Sequence, residues 1–347
     1  MSDKRYLGNI ITPTPTEPSG PYQDSAASGV WSLQEAFTYT KAGLWPTAGN
    51  AAPIGVFFGN VSDTNAITRV DLTTSGTSSD FGNQSLNRYN QSACSSATRG
   101  LCFGGYSSTY GYTTVNIVEY VTIASASNAT DFGDLTQSVF SAGGTSNSTR
   151  GLRMGGGNGG AVNIIGYCTI ASIGNFADFG DLQVSVYQNG CCASPTRALS
   201  FSGVSPGAAQ PSPRNIQYIT IASTGNASDF GDATQAIRGG GAASSSTRAV
   251  IGGGTNSGSA SNSIEYVTIA STGNGTDFGD LTSSSLSETS GASSSVKAFF
   301  VRSDSGCRME TVTIASTGNS TDFGTVSQMS AVSSNNTTIT NSHGGLA

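Results

Sequence analysis

The chain has 347 residues, of which 46 are glycine and only 10% are charged, and its formal net charge is -6. A surface of Ser, Thr, Asn and Gly is polar without being cationic, which argues against nucleic acid as a partner. No apolar run reaches the length of a membrane-spanning helix, and the first residues lack the apolar core of a secretory signal. We therefore expect a protein that folds in a cytoplasm and does not insert into a membrane.

Residues 1–50 differ in kind from the rest of the chain. A proline-rich opening predicts an extended strap. Ser32, followed three residues later by Glu35, has the form of a capping box and predicts a short helix over about 32–42. Because a lone short helix cannot build a core, we expect this segment to act as an anchor that docks onto another surface. Its anchor residues would be Trp31, Leu33, Phe37, Trp45 and Pro46.

A repeated unit fills residues 51–347. Its clearest copy, IEYVTIASTGNGTDFGDLT, begins at Ile264, and its Asp-Phe-Gly centre occurs six times at intervals of 45 to 51 residues. The alternating β-branched run predicts a strand and Ser-Thr-Gly-Asn predicts a turn. We expect the Asp to accept N–H groups of a tight turn and the Phe to be buried between neighbouring sheets. The centres of the clear copies contain Asp131, Phe132, Gly133, Asp178, Phe179, Asp229, Phe230, Asp277 and Phe278.

A basic residue stands 19 or 20 positions after each of the first five Asp residues and leads through a hydrophobic run to a stop of small residues. Its recurrence favours a structural role, in which each Arg reaches an Asp of a neighbouring turn. The alternative is that the arginines line a channel and contact an anionic ligand. The four arginines are Arg99, Arg150, Arg197 and Arg248, and Lys297 takes the fifth position.

These features together predict an all-β fold. A period near 50 residues, with short β segments that end in Gly-Gly, is typical of kelch-type propeller blades. Six copies predict a six-bladed β-propeller over residues 51–347, with seven blades as the alternative if residues 1–50 contribute strands. An open ring would leave two bare sheet edges. We therefore expect residues 329–333, with 338–341 as a further candidate, to complete the blade that begins at Ile54.

The loops between the Gly-Gly stop and the next tyrosine vary from 11 to 15 residues, whereas the spacing from Asp to Arg is constant. Insertions accumulate where packing permits them, so we expect these loops to share one side of the ring and to carry any binding site. One of them carries Tyr106, Tyr110 and Tyr112, whose rings could stack on sugars, and another spans about 204–214.

Little in the sequence points to catalysis, a cofactor or a metal. The single histidine, His343, is predicted to be a disordered or edge residue rather than a base. Acidic pairs such as Asp131 and Asp134 offer too few oxygens for a calcium loop, and the six cysteines lack zinc-ligand spacing. We expect buried reduced thiols, no cofactor and no metal.

The repeat resembles the kelch-like repeats in structural proteins of tailed bacteriophages, particularly those that infect marine cyanobacteria. The matching pattern is Tyr-Val-Thr-Ile-Ala-Ser-Thr-Gly-Asn-x-x-Asp-Phe-Gly-Asp-Leu, followed by Ser-Thr-Arg-Gly/Ala, over about residues 54 to 328. The segment from Gly29 to Pro46 is similar to a short stretch of such virion proteins. The chain departs from the pattern in its first and last units, at Arg69, Lys297, Thr311 and Thr325.

The resemblance implies a virion protein, such as a tail fibre or surface appendage, with the propeller displayed outward and residues 1–50 bound to other virion proteins. Three functions stay open. The first is non-enzymatic attachment to a host surface through a glycan or a protein. The second is a purely structural role in the capsid, neck or tail. The third and least favoured is degradation of a glycan, which would need a carboxylate pair in the channel. A homotrimer would fit a fibre, although no heptad repeat supports it.

Overall fold

The structure is a computed structural model that describes residues 31–41, 52–59, 65–74, 78–205, 213–283, 288–302, 307–326 and 338–346. The chain divides into two compact units, residues 1–53 and 54–347. In the first unit the described part contains one α-helix, Leu33–Lys41. Ser32 Oγ accepts from the Glu35 N–H at 3.2 Å, and Glu35 Oε2 accepts from the Ser32 N–H at 2.9 Å. The predicted helix and its capping box are confirmed.

The described part of the second unit contains six four-stranded antiparallel sheets, so the predicted all-β class is confirmed. We number the sheets in chain order and their strands first to fourth in hydrogen-bonded order. Sheet 1 consists of Thr338–Thr340, Ile54–Phe58, Ala66–Asp71 and Ser78–Asn83. Sheet 2 consists of Ser92–Ser95, Arg99–Phe103, Ile117–Thr122 and Thr130–Asp134. Sheet 3 consists of Gly143–Ser146, Arg150–Met154, Ile164–Thr169 and Ala177–Asp181.

The other three sheets follow the same plan. Sheet 4 consists of Gly190–Ala193, Arg197–Phe201, Asn215–Thr220 and Ser228–Asp232. Sheet 5 consists of Gly241–Ser244, Arg248–Gly252, Ser263–Thr268 and Thr276–Asp280. Sheet 6 consists of Thr289–Ser293, Lys297–Arg302, Arg308–Thr313 and Thr321–Thr325.

Short elements occupy the connections. The loops between second and third strands contain the hairpin strands Tyr106–Ser107 with Thr113–Thr114, and Thr255–Asn256 with Ser259–Ala260. Ile237–Arg238 pairs with the second hairpin from the connection between sheets 4 and 5. Two 3-10 turns lie at Ser108–Tyr110 and Gly344–Leu346. In an antiparallel sheet the second-to-third loops and the connections to the next sheet leave from the same end, so all these elements except Gly344–Leu346 share one end of their sheets. Gly344–Leu346 follows a first strand and lies at the other end, against Ser146 and Ser245.

Sheet 1 combines strands from both ends of the second unit. Thr338–Thr340 pairs antiparallel with Ile54–Phe58, with Gly55 opposite Thr340 and Phe57 opposite Thr338. The pairing predicted for residues 338–341 is confirmed, whereas residues 329–333 lie outside the described residues. The first sheet therefore needs the C-terminal strand to reach four strands.

The core is divided into clusters that fill the space between consecutive sheets. Phe132 is fully buried and packs with Leu101 and Phe103 of its own sheet and with Cys168 of sheet 3. Removing an aromatic side chain of this size from water contributes about 1.5–3 kcal/mol. The other clusters place Phe179 between sheets 3 and 4, Phe230 between 4 and 5, Phe278 between 5 and 6, Phe323 between 6 and 1, and Phe81 between 1 and 2. The predicted burial of these phenylalanines between sheets is confirmed.

The first strands contact one another directly, and this explains their small residues. A Cβ on Gly144 would lie 2.2 Å from the carbonyl oxygen of Ala93, so a larger residue is excluded there. The Ser95 N–H donates to Ser146 Oγ at 3.0 Å, and Ser146 Oγ donates back to the Ser95 carbonyl at 2.7 Å. A cavity of about 50 Å³ remains among the first strands. That volume is large enough to hold ordered water.

Candidate functional site

The repeated arginines link each sheet to the next one. The Arg99 guanidinium lies 4.4 Å from the ring centroid of Tyr120, and its Nη1 donates to the carbonyl oxygen of Ile170 at 2.9 Å. The acceptor is a main-chain carbonyl and not the Asp of a neighbouring turn, so that part of the prediction was wrong. The same stacking and the same carbonyl bond to the following sheet recur at Arg150, Arg197 and Arg248. A cation–π contact with a charge-assisted bond gives the arginines a structural role.

The repeated aspartates lie in fourth strands and not in tight turns. In sheet 2 the register shifts between Val118 and Glu119, which places Asp131 beside a β-bulge. The turn-capping role predicted for these residues is therefore corrected. In the described structure no hydrogen bond is accepted by the exposed carboxylates of Asp131, Asp178, Asp229 and Asp277, whereas Asp322 Oδ1 accepts from the Gly324 N–H at 3.3 Å.

The glycine of each Asp-Phe-Gly allows the turn of the next sheet to approach. Gly133 has a φ of 142°, and a Cβ on it would lie 2.7 Å from the carbonyl oxygen of Gly174. The Gly174 N–H donates to the Phe132 carbonyl at 2.9 Å, and Asn175 Oδ1 accepts from the Asp134 N–H at 3.0 Å. The Asn of the Thr-Gly-Asn turn is thus the capping side chain that sequence reasoning missed. Its equivalents are Asn128, Asn226, Asn274 and Asn319.

Four aromatic rings form a continuous row across sheets 2, 3 and 4, which we call the aromatic row. Tyr89 stacks on Tyr106 with ring centroids 5.3 Å apart and an interplanar angle of 24°. Tyr106 lies 4.6 Å from Phe140, which lies 5.6 Å from Tyr187. All four side chains are half-buried, so part of each ring faces solvent. The row lies at the end of the sheets that carries the second-to-third loops.

The sequence explains why these rings stand in register. Tyr89, Phe140 and Tyr187 each lie nine residues after a repeat Asp, in the connection to the next sheet. The residue that follows each of these three rings has a positive φ. Main-chain hydrogen bonds link these following residues from one connection to the next. The links are Ser141 N–H to the Asn90 carbonyl at 2.7 Å and Gln188 N–H to the Ser141 carbonyl at 2.8 Å. The fixed spacing was the signal that could have revealed the row.

The predicted tyrosines are only partly brought together. Tyr106 belongs to the aromatic row, whereas Tyr110 and Tyr112 lie at the tip of the same hairpin with 56% and 64% of their surface exposed. Tyr112 has a φ of 60°, a conformation that bulky residues adopt rarely and at a cost in stability. Most of the other predicted loop, residues 206–212, lies outside the described residues.

The chemistry of this face is neutral. Burial raises the pKa of the Tyr106 hydroxyl, and the nearby hydroxyls of Tyr89 and Tyr187 raise it further, so the Tyr106 hydroxyl stays protonated and can donate a hydrogen bond. Within the described residues no three His, Cys, Asp or Glu side chains are placed to hold a metal ion. All six cysteines are buried, and burial raises the pKa of Cys191 to about 12.

His343 lies at the cavity among the first strands, and the expectation of a disordered or edge residue was wrong. Its Nε2 lies 2.9 Å from the Ser95 carbonyl, and its Nδ1 accepts from the Gly345 N–H at 3.2 Å. Burial lowers its pKa from 6.5 to about 4. The cavity lining contains small residues, Ser, Thr, Cys and this histidine, and none of the lining residues is a carboxylate.

In the first unit, the helix carries an apolar surface. Leu33 is 88% exposed and Phe37 is 60% exposed, whereas the ring of Trp31 contacts that of Tyr39 with centroids 5.3 Å apart. Trp45 and Pro46 lie outside the described residues. Over the described part of the chain, no helix has the length and apolar character needed to span a bilayer.

Comparison with known proteins adds no assignment: no family model matches the chain, and no curated protein matches it significantly.

Proposed function

We propose that residues 54–347 form a six-bladed, kelch-like β-propeller in which each sheet is one blade. The order of contacts supports this proposal. Each core cluster joins one sheet to the next, and one cluster joins sheet 6 to sheet 1. The first strand of sheet 1, Thr338–Thr340, contacts the first strands of sheets 2 and 6. A closed ring of this kind leaves no long bare edge.

On this fold we propose binding of a host-surface glycan by the aromatic row, and no enzymatic activity. The aromatic row is the observation that carries the proposal. The apolar faces of sugar rings stack on aromatic side chains, and tyrosine adds a hydroxyl that can bind sugar hydroxyls. Four consecutive rings offer a strip that suits an extended glycan better than a single sugar.

The charges of the chain narrow the glycan class. Its net charge is -6, so a polyanionic glycan would be repelled. The Ser, Thr and Asn side chains around the row are uncharged and can form hydrogen bonds with sugar hydroxyls. The exposed Tyr112, held at positive φ, extends the apolar surface beyond the row. We therefore propose that the ligand is a neutral polysaccharide or a neutral glycolipid headgroup.

The setting that we propose is the surface of a phage particle, as a tail fibre or surface appendage. The resemblance of the repeat to virion proteins suggests this setting. Residues 1–50 would be the anchor, because the exposed Leu33 and Phe37 present an apolar helix surface to another virion protein. The propeller would then project the aromatic row toward the host.

The proposal is tested on a glycan array with the full chain. We expect Tyr187→Ala, at the end of the row, and Tyr112→Ala, at the hairpin tip, each to weaken binding of the best neutral glycan about tenfold or more. Ile173→Ala is the matched control, because Ile173 is 62% exposed and lies in the turn at the other end of sheet 3. Melting curves check that each variant is folded. Loss of binding in the control alone, or none in either tyrosine variant, would contradict the proposal.

The second candidate is a structural decoration protein of the capsid, neck or tail. The exposed helix surface favours it as much as it favours attachment, because both roles need an anchor. Immunogold labelling of particles locates the chain, and the array separates the two roles. A chain on the capsid wall that binds no glycan would favour decoration.

A further inference from the structure

A buried side-chain oxygen caps the loop between most pairs of consecutive sheets. The capping residue comes from the third strand of one sheet and accepts the N–H of the second residue after the fourth strand of the preceding sheet. For example, Glu119 Oε1 accepts from the Ser85 N–H at 2.8 Å, and Glu310 Oε2 accepts from the Thr282 N–H at 2.9 Å. Gln217 caps Gln183 and Glu265 caps Thr234 in the same way. All four capping side chains are buried.

Sheet 3 breaks this pattern. The equivalent residue of its third strand is Gly166, which has no side chain, so the Thr136 N–H has no acceptor in the described structure. Arg153 stands opposite Gly166 in the register of the sheet and is 1% exposed. Its Nη1 donates to the Gly155 carbonyl at 2.7 Å, and its Nη2 lies 3.5 Å from Thr136 Oγ1.

Buried donors without an acceptor occur on Arg153 and on the residue that follows Thr136. Arg153 Nε and Gln137 Nε2 are buried and have no partner in the described structure. The buried arginines at sheets 2 and 6 differ, because Arg88 contacts Glu119 and Arg302 lies 2.7 Å from Glu310.

One acid lies near this group of donors. Asp178 is opposite Gly166 in the sheet, but its carboxylate is exposed and accepts no hydrogen bond from Arg153 in the described structure. The buried guanidinium of Arg153 and the N–H of the exposed Thr136 thus stand where sheets 2, 4, 5 and 6 place a carboxylate or amide oxygen.

We propose that a small monovalent anion of about chloride size binds between sheets 2 and 3, held by Arg153 and the Thr136 N–H in place of the missing carboxylate. A Cβ built on Gly166 would lie 3.4 Å from the Phe176 ring and 3.8 Å from Arg153 Nε, so the position beside the guanidinium that a side chain occupies in sheets 2, 4, 5 and 6 carries none here. Desolvation lowers the pKa of Arg153 to about 10, and the charge of Asp178 opposes this shift. This inference is independent of glycan binding.

The test measures thermal melting of the full chain while sodium chloride or bromide replaces sodium gluconate at constant ionic strength. We expect a saturable rise of several degrees, because an anion that binds only the folded state stabilises it by mass action. Crystals soaked in bromide should show an anomalous difference peak beside the Arg153 guanidinium and the Thr136 N–H.

Two variants with a matched control locate the site. Gly166→Glu restores the carboxylate found in sheets 2, 5 and 6, so we expect melting at least as high as that of the halide-saturated wild type, with no halide dependence. Arg153→Met should also lose the halide dependence. Gly160→Glu adds the same charge at an exposed loop position with open space around it, and it should keep the wild-type response.

A wild-type protein without halide-dependent melting and without a bromide peak would overturn the proposal and assign the space to water. An unchanged halide response in Gly166→Glu would also overturn it, since the anion would then bind elsewhere. Gly166→Glu tests the site without removing a buried side chain. The test therefore stands even if Arg153→Met does not fold.

Discussion

Each residue of the Asp-Phe-Gly tripeptide meets a different physical requirement. The phenylalanine fills the space between two sheets, and the glycine lets the turn of the following sheet come within hydrogen-bond distance of the strand. The aspartate is exposed in the strand. The three residues of this repeated tripeptide therefore contribute unequally to the stability of the fold.

A pair of adjacent substitutions in sheet 4 tests this difference. Phe230→Ala should lower the free energy of unfolding by about 3–5 kcal/mol, because it leaves a cavity between sheets 4 and 5. Asp229→Ala should change it by no more than about 0.5 kcal/mol, because the carboxylate is exposed and makes no hydrogen bond in the described structure. Chemical denaturation of both variants gives the comparison. Equal losses in the two variants would mean that the aspartate has a structural partner after all.

His343 predicts a pH dependence of stability. Its Nδ1 accepts a hydrogen bond from the Gly345 N–H, and a proton on that nitrogen would face this N–H donor and break the bond. The pKa of His343 in the folded chain is lowered from 6.5 to about 4. A base with a lowered folded pKa contributes stability above its unfolded pKa and loses it as the pH falls from 6.5 toward 4. The loss should be at most about 3 kcal/mol.

The measurement compares denaturation of wild type and His343→Asn between pH 7 and pH 4. The carboxylates titrate in both proteins, so only the difference between them reports on the histidine. We expect the wild type to lose more stability than the variant as the pH falls through this range. Parallel curves would assign the pH dependence to other groups.

At the level of elements, the sequence was informative where contacts are local. The helix and its capping box depend on residues three apart, and the Phe positions follow from one repeated tripeptide, so both could be predicted. The cap from Asn175 to the Asp134 N–H joins two sheets across 41 residues of chain. The aromatic row likewise depends on which connections lie side by side. Neither the cap nor the row can be found from a single repeat read alone.

The closing strand of sheet 1 gives a prediction at this scale. A chain that ends at residue 337 lacks Thr338–Thr340 and leaves the edge of Ile54–Phe58 without its partner. We expect a large drop in melting temperature and association between chains, measured by calorimetry and light scattering. A chain that ends at residue 340 keeps the strand and loses the Asn341 cap on the Ile54 N–H and the turn with His343. It should keep the association state of the full chain and melt well above the shorter truncation, and equal behaviour of the two truncations would contradict the importance of the strand.

At the level of the whole molecule, the two units permit separate tests of anchoring and binding. Residues 54–347 form a compact unit with its own apolar clusters. A chain without residues 1–50 should therefore fold, with a melting temperature close to that of the full chain, and bind the same glycans on the array. In the proposed phage setting, the same deletion should remove the protein from assembled particles, as measured by mass spectrometry of purified virions. Retention on the particle would mean that residues 54–347 carry the docking surface.

The strand Ile54–Phe58 is where the covalent chain enters the second unit, and it is bonded on both sides, to Thr338–Thr340 and to Ala66–Asp71. A pull applied along the axis of this strand would act across the direction of its hydrogen bonds. Such a load strains all the bonds of both ladders together, whereas a load across the strand breaks them one after another. A strand paired on both sides therefore resists traction along its axis better than an edge strand does.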